Sequence, residues 1–167
     1  MQVVNFSKRN ELINKNLSLS YCYQCSTCAG GCPVALKTAG KYNPRKIIEL
    51  SLLGLEQSLI ESQDINIWLC STCQKCVEYC PQRVLLTEIF NTIKNHCALA
   101  GLAPEAYYLQ GKSIFDSGLA IPFSSAILRR REQLGLPLIK TPNIEEIQSL
   151  LKKTDFDKKI ISKTQKE

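Results

Sequence analysis

The sequence has little of what a membrane, secreted or histidine-rich metal protein requires. No run of 18 or more apolar residues occurs among its 167 residues, so no membrane-spanning helix is predicted. The first nine residues contain no apolar segment of the kind found in secretory signals. We therefore expect a cytoplasmic protein, in which clustered cysteines indicate metal or redox chemistry and not disulfides. The only histidine is His96, so zinc sites of mixed cysteine and histidine are poorly supplied.

The residue patterns of an independent catalytic site are also missing. The chain has no phosphate-binding glycine loop, no dinucleotide fingerprint and no recognisable pair of nucleophile and base. We therefore predict no catalytic residues and no active site of its own.

Sustained alternation of apolar and polar residues, which would predict a β-sheet, does not occur. Apolar residues recur instead at helical spacing, as in the series Leu86, Ile89, Ile93 and Cys97, so the chain is predicted to be all-α. Pro81 is placed to open this helix and Gly101 to end it. The other predicted helices are a short one before Ser20, and helices at 44–61, 104–117, 122–134 and 143–153. The last dozen residues, rich in lysine, are predicted to be frayed.

Cysteine is the residue that the chain has in excess, with nine copies. Eight of them form two copies of the pattern Cys-x2-Cys-x2-Cys-x3-Cys-Pro, in which three close thiolates wrap one side of a [4Fe–4S] cluster. The ninth, Cys97, continues an apolar helical face and is predicted to be a core residue. The first run is Cys22, Cys25, Cys28 and Cys32, and the second is Cys70, Cys73, Cys76 and Cys80.

In ferredoxins with two clusters, the fourth cysteine of each run binds the other cluster. The same crossover predicts two ligand sets here. Cluster 1 would be held by Cys22, Cys25, Cys28 and Cys80. Cluster 2 would be held by Cys70, Cys73, Cys76 and Cys32. Such a crossover keeps the clusters close together, so that electrons can pass between them.

A zinc-stabilised binding module is the alternative from a different class of protein. Zinc sites usually combine two Cys-x2-Cys pairs set well apart, whereas each run here packs four cysteines into eleven residues. The formal net charge of +6 does not require a role in nucleic-acid binding, because the chain would also carry anionic clusters. Eight thiolates and two oxidised cluster cores would lower it to about +2. We therefore predict no nucleic-acid partner.

The two runs differ between their third and fourth cysteines. Gly30 and Gly31 in the first run would let the backbone approach the sulfurs and donate N–H bonds to them. Glu78 in the second run would lower the reduction potential of cluster 2 if it points inward, and would change little if it faces solvent.

Motifs along most of the chain, from about Leu19 to Asp157, resemble those of the iron–sulfur C subunit of heterodisulfide reductase. The resemblance is carried by residues 22–33, 68–81, 87–89, 101–104, 134–137 and 141–142. From it, together with the helical pattern, we predict an α-helical ferredoxin domain over 1–102, a helical extension over 103–155 that docks the catalytic subunit, and a frayed tail over 156–167.

The resemblance also implies a function. In that family, the C subunit passes electrons from a flavin-bearing A subunit to a catalytic B subunit, which reduces the disulfide of coenzyme M and coenzyme B in methanogenesis. An iron–sulfur relay subunit of another disulfide-linked or quinone-linked oxidoreductase remains an alternative. An iron–sulfur subunit of the succinate or fumarate type would need further cysteines for a [2Fe–2S] domain. A free ferredoxin would have little use for the extension.

Overall fold

The computed structural model describes residues 4–61, 66–140 and 142–161. Within these ranges the chain is helical and contains no strand, which confirms the all-α prediction. No helix in the described ranges combines the length and apolar character needed to cross a bilayer. The chain divides into two compact units, one ending at Leu102 and the other beginning at Ala103.

The α-helices of the described ranges include two single turns, α2 and α6, that lie within the cysteine runs. In chain order the α-helices are α1 (Phe6–Lys15), α2 (Thr27–Gly30), α3 (Pro33–Lys37), α4 (Pro44–Leu52), α5 (Glu56–Glu61), α6 (Lys75–Glu78), α7 (Leu86–Leu99), α8 (Glu105–Ser117), α9 (Ser125–Gln133), α10 (Ile144–Lys153) and α11 (Phe156–Ile161). Short 3₁₀ helices at Leu17–Tyr21 and Ile67–Leu69 lead into the two runs.

The core of the first unit lies between α1, α4, α5 and α7. The predicted face of α7 is buried, because Leu86, Ile89, Ile93 and Cys97 are each at most 2% exposed. Tyr42 and Phe90 occupy the centre, with their rings in edge-to-face contact. Burial of such side chains supplies most of the driving force for folding. Five cysteines of the two runs pack against this core while partly exposed: Cys22, Cys28, Cys70, Cys76 and Cys80.

The helix predicted over 44–61 is broken into α4 and α5. Gly54 has a φ of 71°, a left-handed conformation that glycine adopts without the steric cost of a side chain. Leu55 N–H donates to the Leu50 carbonyl and Gly54 N–H to the Ser51 carbonyl, the hydrogen bonds of a Schellman helix end. The prediction of one continuous helix is therefore wrong, although the glycine that ends α4 is visible in the sequence.

The two prolines that follow the runs behave differently. Pro33 opens α3, as proline does at a first helical position. Pro81 lies in a turn, and α7 begins only at Leu86. Arg83, with a φ of 53°, interrupts helical geometry in between. The expectation that Pro81 opens a helix is therefore wrong.

The second unit is built from α8, α9, α10 and α11. Its predicted helices agree with α8, α9 and α10 to within three residues. Helix α11 occupies part of the segment predicted to be a frayed tail. Ile160 in α11 is 8% exposed, and it lies where Gly111 of α8 leaves space for it. This packing stabilises a helix that the lysine-rich composition did not predict; residues 162–167 lie outside the described ranges.

Candidate metal centre

Each cysteine run begins with the same backbone conformation. Gln24 and Ser26 in the first run have φ values of 63° and 70°, and Thr72 and Gln74 in the second have 56° and 63°. These four residues stand at equivalent places, before and after the second cysteine of each run. In tight turns of this kind successive N–H groups point towards one side, which makes an anion-binding concavity. Such a concavity fits an anionic thiolate cluster.

The structure brings the eight cysteines together as two groups of four. One hollow, of about 310 Å³ including the space at its mouth, is lined by Cys22, Cys25, Cys28 and Cys80. The other, of about 300 Å³, is lined by Cys70, Cys73, Cys76 and Cys32. Each hollow therefore takes three cysteines from one run and the fourth from the other run.

The electrostatics of the thiols show the same grouping. Burial, followed by the charges of Cys22, Cys25 and Cys80, raises the pKa of Cys28 to about 11. Burial, followed by the neighbouring cysteines Cys70, Cys28, Cys32 and Cys73, raises the pKa of Cys76 to about 12. Because Cys28 acts on Cys76, the two groups adjoin.

The arrangement suits a cluster better than a single ion. Four sulfurs that share one zinc ion must each lie about 2.3 Å from it, which brings them close to one another. Among the described residues, no three or more His, Cys, Asp or Glu side chains are placed to share a single metal ion. The cysteines instead surround hollows, as the ligands of a cubane with four irons must. None of the eight run cysteines forms a disulfide.

Several groups donate hydrogen bonds to the sulfurs. Gln24 Nε2 donates to Cys22 Sγ at 3.4 Å, and Thr27 Oγ1 lies 3.2 Å from Cys25 Sγ. The backbone N–H of Val84 donates to Cys80 Sγ at 3.3 Å, and that of Ala35 to Cys32 Sγ at 3.5 Å. Hydrogen bonds to the sulfurs are one of the features by which a protein tunes a bound cluster.

The residues between the third and fourth cysteines have other roles than predicted. The N–H groups of Gly30 and Gly31 donate to the Ser26 and Thr27 carbonyls, and not to sulfur. Gly31 leaves space for the ring of Tyr79, which belongs to the other run. Glu78 is exposed and lines neither hollow, which is the geometry of the solvent-facing alternative.

Several lining residues escape sequence reasoning, and three of them are polar residues outside the cysteine runs. Tyr42 and Thr87 line the hollow of Cys70, and Arg45 lines the hollow of Cys22. All three lie at the starts of α4 and α7, far in sequence from the cysteines that they face. The Asn43-Pro44 start of α4 is recognisable in the sequence, but the direction in which it faces a hollow is decided by packing.

The iron-free chain is expected to show a strong order of thiol reactivity. Hydrogen bonds from Thr27 lower the pKa of Cys25, whereas burial raises the pKa of Cys28 to about 11. Since the thiolate is the reactive form, Cys28 should react with iodoacetamide at pH 8 roughly a hundredfold more slowly than Cys25. Mass spectrometry of peptides from timed samples measures both rates. In guanidinium chloride the rates should converge; equal rates without denaturant would contradict the buried environment of Cys28.

Replacement of Gly31 by alanine is expected to loosen the contact between the two runs. A Cβ atom at Gly31 would lie 2.5 Å from Cδ2 of Tyr79, whereas one at Gly30 would have no atom within 4 Å. Overpacking of this kind costs about 1–3 kcal/mol, and the half-exposed ring places the cost near the lower end. Thermal bleaching of the visible cluster absorption should occur earlier in Gly31→Ala than in the Gly30→Ala control. In the double variant Gly31→Ala/Tyr79→Ala the bleaching temperature should return towards that of the unaltered chain. If it does not, the strain does not arise from the contact with Tyr79.

An all-helical frame with two adjoining four-cysteine hollows defines an α-helical ferredoxin domain with two clusters. A family model described as a 4Fe-4S dicluster domain matches residues 18–84. The domain carries two [4Fe–4S] clusters, as predicted.

Curated relatives identify the family within this class. The chain is 39% identical over 150 residues to the C 2 iron-sulfur subunit of CoB–CoM heterodisulfide reductase of Methanocaldococcus jannaschii, covering 86% of this chain and 77% of the relative. It is 33% identical over 149 residues to the C subunit of H(2):CoB-CoM heterodisulfide,ferredoxin reductase of Methanothermobacter marburgensis, covering 86% and 78%. The chain belongs to the family of the iron–sulfur C subunit of heterodisulfide reductase, which transfers electrons within an oxidoreductase complex. It therefore works with other subunits.

Proposed function

We propose that this chain relays electrons through its two clusters from a flavin-bearing subunit to a catalytic subunit, which reduces the disulfide of coenzyme M and coenzyme B. The names of the relatives in Methanocaldococcus jannaschii and Methanothermobacter marburgensis refer to that heterodisulfide. The absence of a catalytic motif in the sequence is in keeping with a chain that carries charge and leaves the chemistry to its partners.

The observation that carries the proposal is the adjoining position of the two four-cysteine groups. We assign Cys22, Cys25, Cys28 and Cys80 to cluster 1, and Cys70, Cys73, Cys76 and Cys32 to cluster 2. Support comes from the linings of the two hollows and from the effect of Cys28 on the pKa of Cys76. When bound, the clusters would each accept and release one electron, and the protein would hold them within reach of one another.

The exposure of two cysteine ligands supports separate points at which electrons enter one cluster and leave the other. Cys25 and Cys73, the second cysteines of the two runs, are exposed, whereas the other six are half-buried or buried. One corner of each cluster would thus reach the surface, where a redox centre of a partner can approach. A relay needs two such corners, one for the donor and one for the acceptor.

We assign the second unit, including the extension over 103–155, to the docking of partner subunits. Its segment between α8 and α10 leaves large apolar side chains in solvent, with Ile121 76% exposed and Leu138 97% exposed. Exposed apolar residues in such number are typical of a surface that a partner covers. The other exposed members are Phe123, Ile127, Leu128, Leu134 and Leu136.

The relay is tested by the fate of electrons stored on the chain. The purified chain, reduced under anaerobic conditions and freed of reductant, should keep its electrons when the heterodisulfide alone is added. Addition of the catalytic subunit should start heterodisulfide-dependent reoxidation of the clusters. The recovery of the visible cluster absorption measures this reoxidation. The flavin-bearing subunit, once reduced, should refill the clusters in the same assay.

Two results would contradict the proposal. Rapid reoxidation by the heterodisulfide without the catalytic subunit would show that the chain has its own active site. Reoxidation by a different disulfide only, in the presence of the catalytic subunit, would retain the relay and remove coenzymes M and B as the substrate.

A further inference from the structure

Residues at the starts of α4 and α7 complete the two hollows. Each hollow is lined by the residue two positions before one of these helices and by the second residue of the other helix. The hollow of cluster 2 is lined by Tyr42, two residues before α4, and by Thr87, the second residue of α7. The hollow of cluster 1 is lined by Val84, two residues before α7, and by Arg45, the second residue of α4. Tyr42 and Val84 are therefore structural counterparts, each 1% exposed.

Tyr42 is buried in the wall of the hollow that Cys70 also lines. Its ring meets the ring of Phe90 edge-on, with centroids 6.5 Å apart and planes at 82°. Its backbone N–H donates to Thr38 Oγ1 at 3.3 Å. Tyr42 lines the same hollow as Cys70, and burial, followed by Cys70, raises the pKa of Tyr42, so its phenol keeps its proton and can donate. A buried phenol needs a partner of this kind, because an unsatisfied hydroxyl would be costly.

The counterpart at cluster 1 has no hydroxyl to offer. Val84 contributes only its backbone N–H, which donates to Cys80 Sγ at 3.3 Å. The basic residue at cluster 1 is Arg45, whose guanidinium is paired with Glu49 at 3.5 Å on a partly exposed surface. Water and the carboxylate screen that charge. The Tyr42 hydroxyl, in contrast, acts in a buried place where a dipole has a large effect.

A hydrogen bond to a cysteine sulfur withdraws electron density from the iron and stabilises the reduced cluster, so it raises the reduction potential. We propose that the Tyr42 hydroxyl sets the potential of cluster 2 upward by donating a hydrogen bond to Cys70 Sγ. Tyr42 is a positioning residue in this sense, since it acts through a ligand. The inference rests on the ligand sets proposed above, because Cys70 must belong to cluster 2.

The test is a redox titration of the full chain with both clusters bound, in which electron paramagnetic resonance monitors the oxidation state of each cluster. Tyr42→Phe removes the hydroxyl and keeps the ring that packs on Phe90. We expect the midpoint potential of cluster 2 to fall and that of cluster 1 to stay in place. A tenfold change in the ratio of oxidised to reduced cluster 2, about 59 mV for one electron, is the expected scale. The iron–sulfur stretching bands of cluster 2 should also rise in frequency, as its Cys70 bond strengthens.

Two further variants make the result specific. Cys73→Ser identifies the resonance of cluster 2, since only the cluster that Cys73 binds should change. Tyr79→Phe removes a hydroxyl from a half-exposed ring that lines neither hollow, and it should shift neither potential. If Tyr42→Phe does not retain iron, Tyr42→Met removes the same hydroxyl with a flexible side chain that fills the space.

The outcomes separate this inference from the ligand sets. If Cys32→Ser and Cys73→Ser change the same cluster, the ligand sets stand. A Tyr42→Phe variant that then moves neither potential, or moves only that of cluster 1, overturns the role of Tyr42 alone. If Cys32→Ser changes the cluster of Cys25 instead, the ligand sets themselves are overturned.

Discussion

Replacement of Cys80 by serine is expected to alter cluster 1, the cluster of the first run, although Cys80 belongs to the second run. The magnetic resonance spectrum of Cys80→Ser should match that of Cys25→Ser, and the spectrum of Cys32→Ser should match that of Cys73→Ser. Serine keeps an oxygen that can bind iron, so the affected cluster changes its signal while the fold is retained. Alanine at Cys80 should go further and release the iron of one cluster, about four of about eight atoms.

The reason for this expectation is the position of the fourth cysteines. Cys80 lines the hollow of Cys22, Cys25 and Cys28, and Cys32 lines the other hollow. Pro33 and Pro81, which follow them, line the same hollows as the cysteines that they follow.

Cys97→Ser is the matched control for these variants. Cys97 is buried in the core of the first unit and lines neither hollow. Its replacement should cost stability and leave both cluster signals unchanged. If the Cys80→Ser spectrum instead matched that of Cys73→Ser, each run would bind its own cluster and the crossover would be absent.

A chain truncated after Leu102 is expected to keep both clusters and lose its partner subunits. The first unit contains all eight run cysteines and a buried core of its own. The exposed apolar segment that we assign to docking lies entirely in the second unit. Co-purification with a tagged form of the catalytic subunit should therefore fall from stoichiometric to background, while iron content and visible absorption persist.

Point variants of the full chain locate the docking surface more closely. Ile121→Asn, Leu128→Asn and Leu138→Asn together replace three exposed apolar side chains without opening a cavity, since none of the three is buried. The triple variant should lose the partner as the truncation does. The control with Ile121→Leu, Leu128→Ile and Leu138→Ile keeps the surface apolar and should retain the partner. Full partner binding by the truncated chain would contradict the docking role.

Sequence patterns located α7, α8, α9 and α10, for which periodicity, proline and glycine are sufficient local signals. The face of Leu86, Ile89, Ile93 and Cys97 was predicted from its period alone and is buried. The break at Gly54 obeys a local rule as well, and it was missed because the apolar spacing continues across it. The tail helix Phe156–Ile161 was missed for a different reason. Ile160 gains its stability from the space beside Gly111 in another helix, and no local pattern reports such a contact.

By itself, the sequence determined the chemistry of this protein: eight cysteines at ligand spacing, one histidine and no catalytic motif indicate two iron–sulfur clusters and a relay. That chemistry depends only on which ligands stand close together in the chain. The tertiary structure alone decided what surrounds the clusters. It brought Tyr42 to Cys70 and Arg45 to the opposite hollow, left Glu78 in solvent and paired Gly31 with Tyr79. Those neighbours are set by how α4 and α7 pack, and packing joins residues that no spacing along the chain connects.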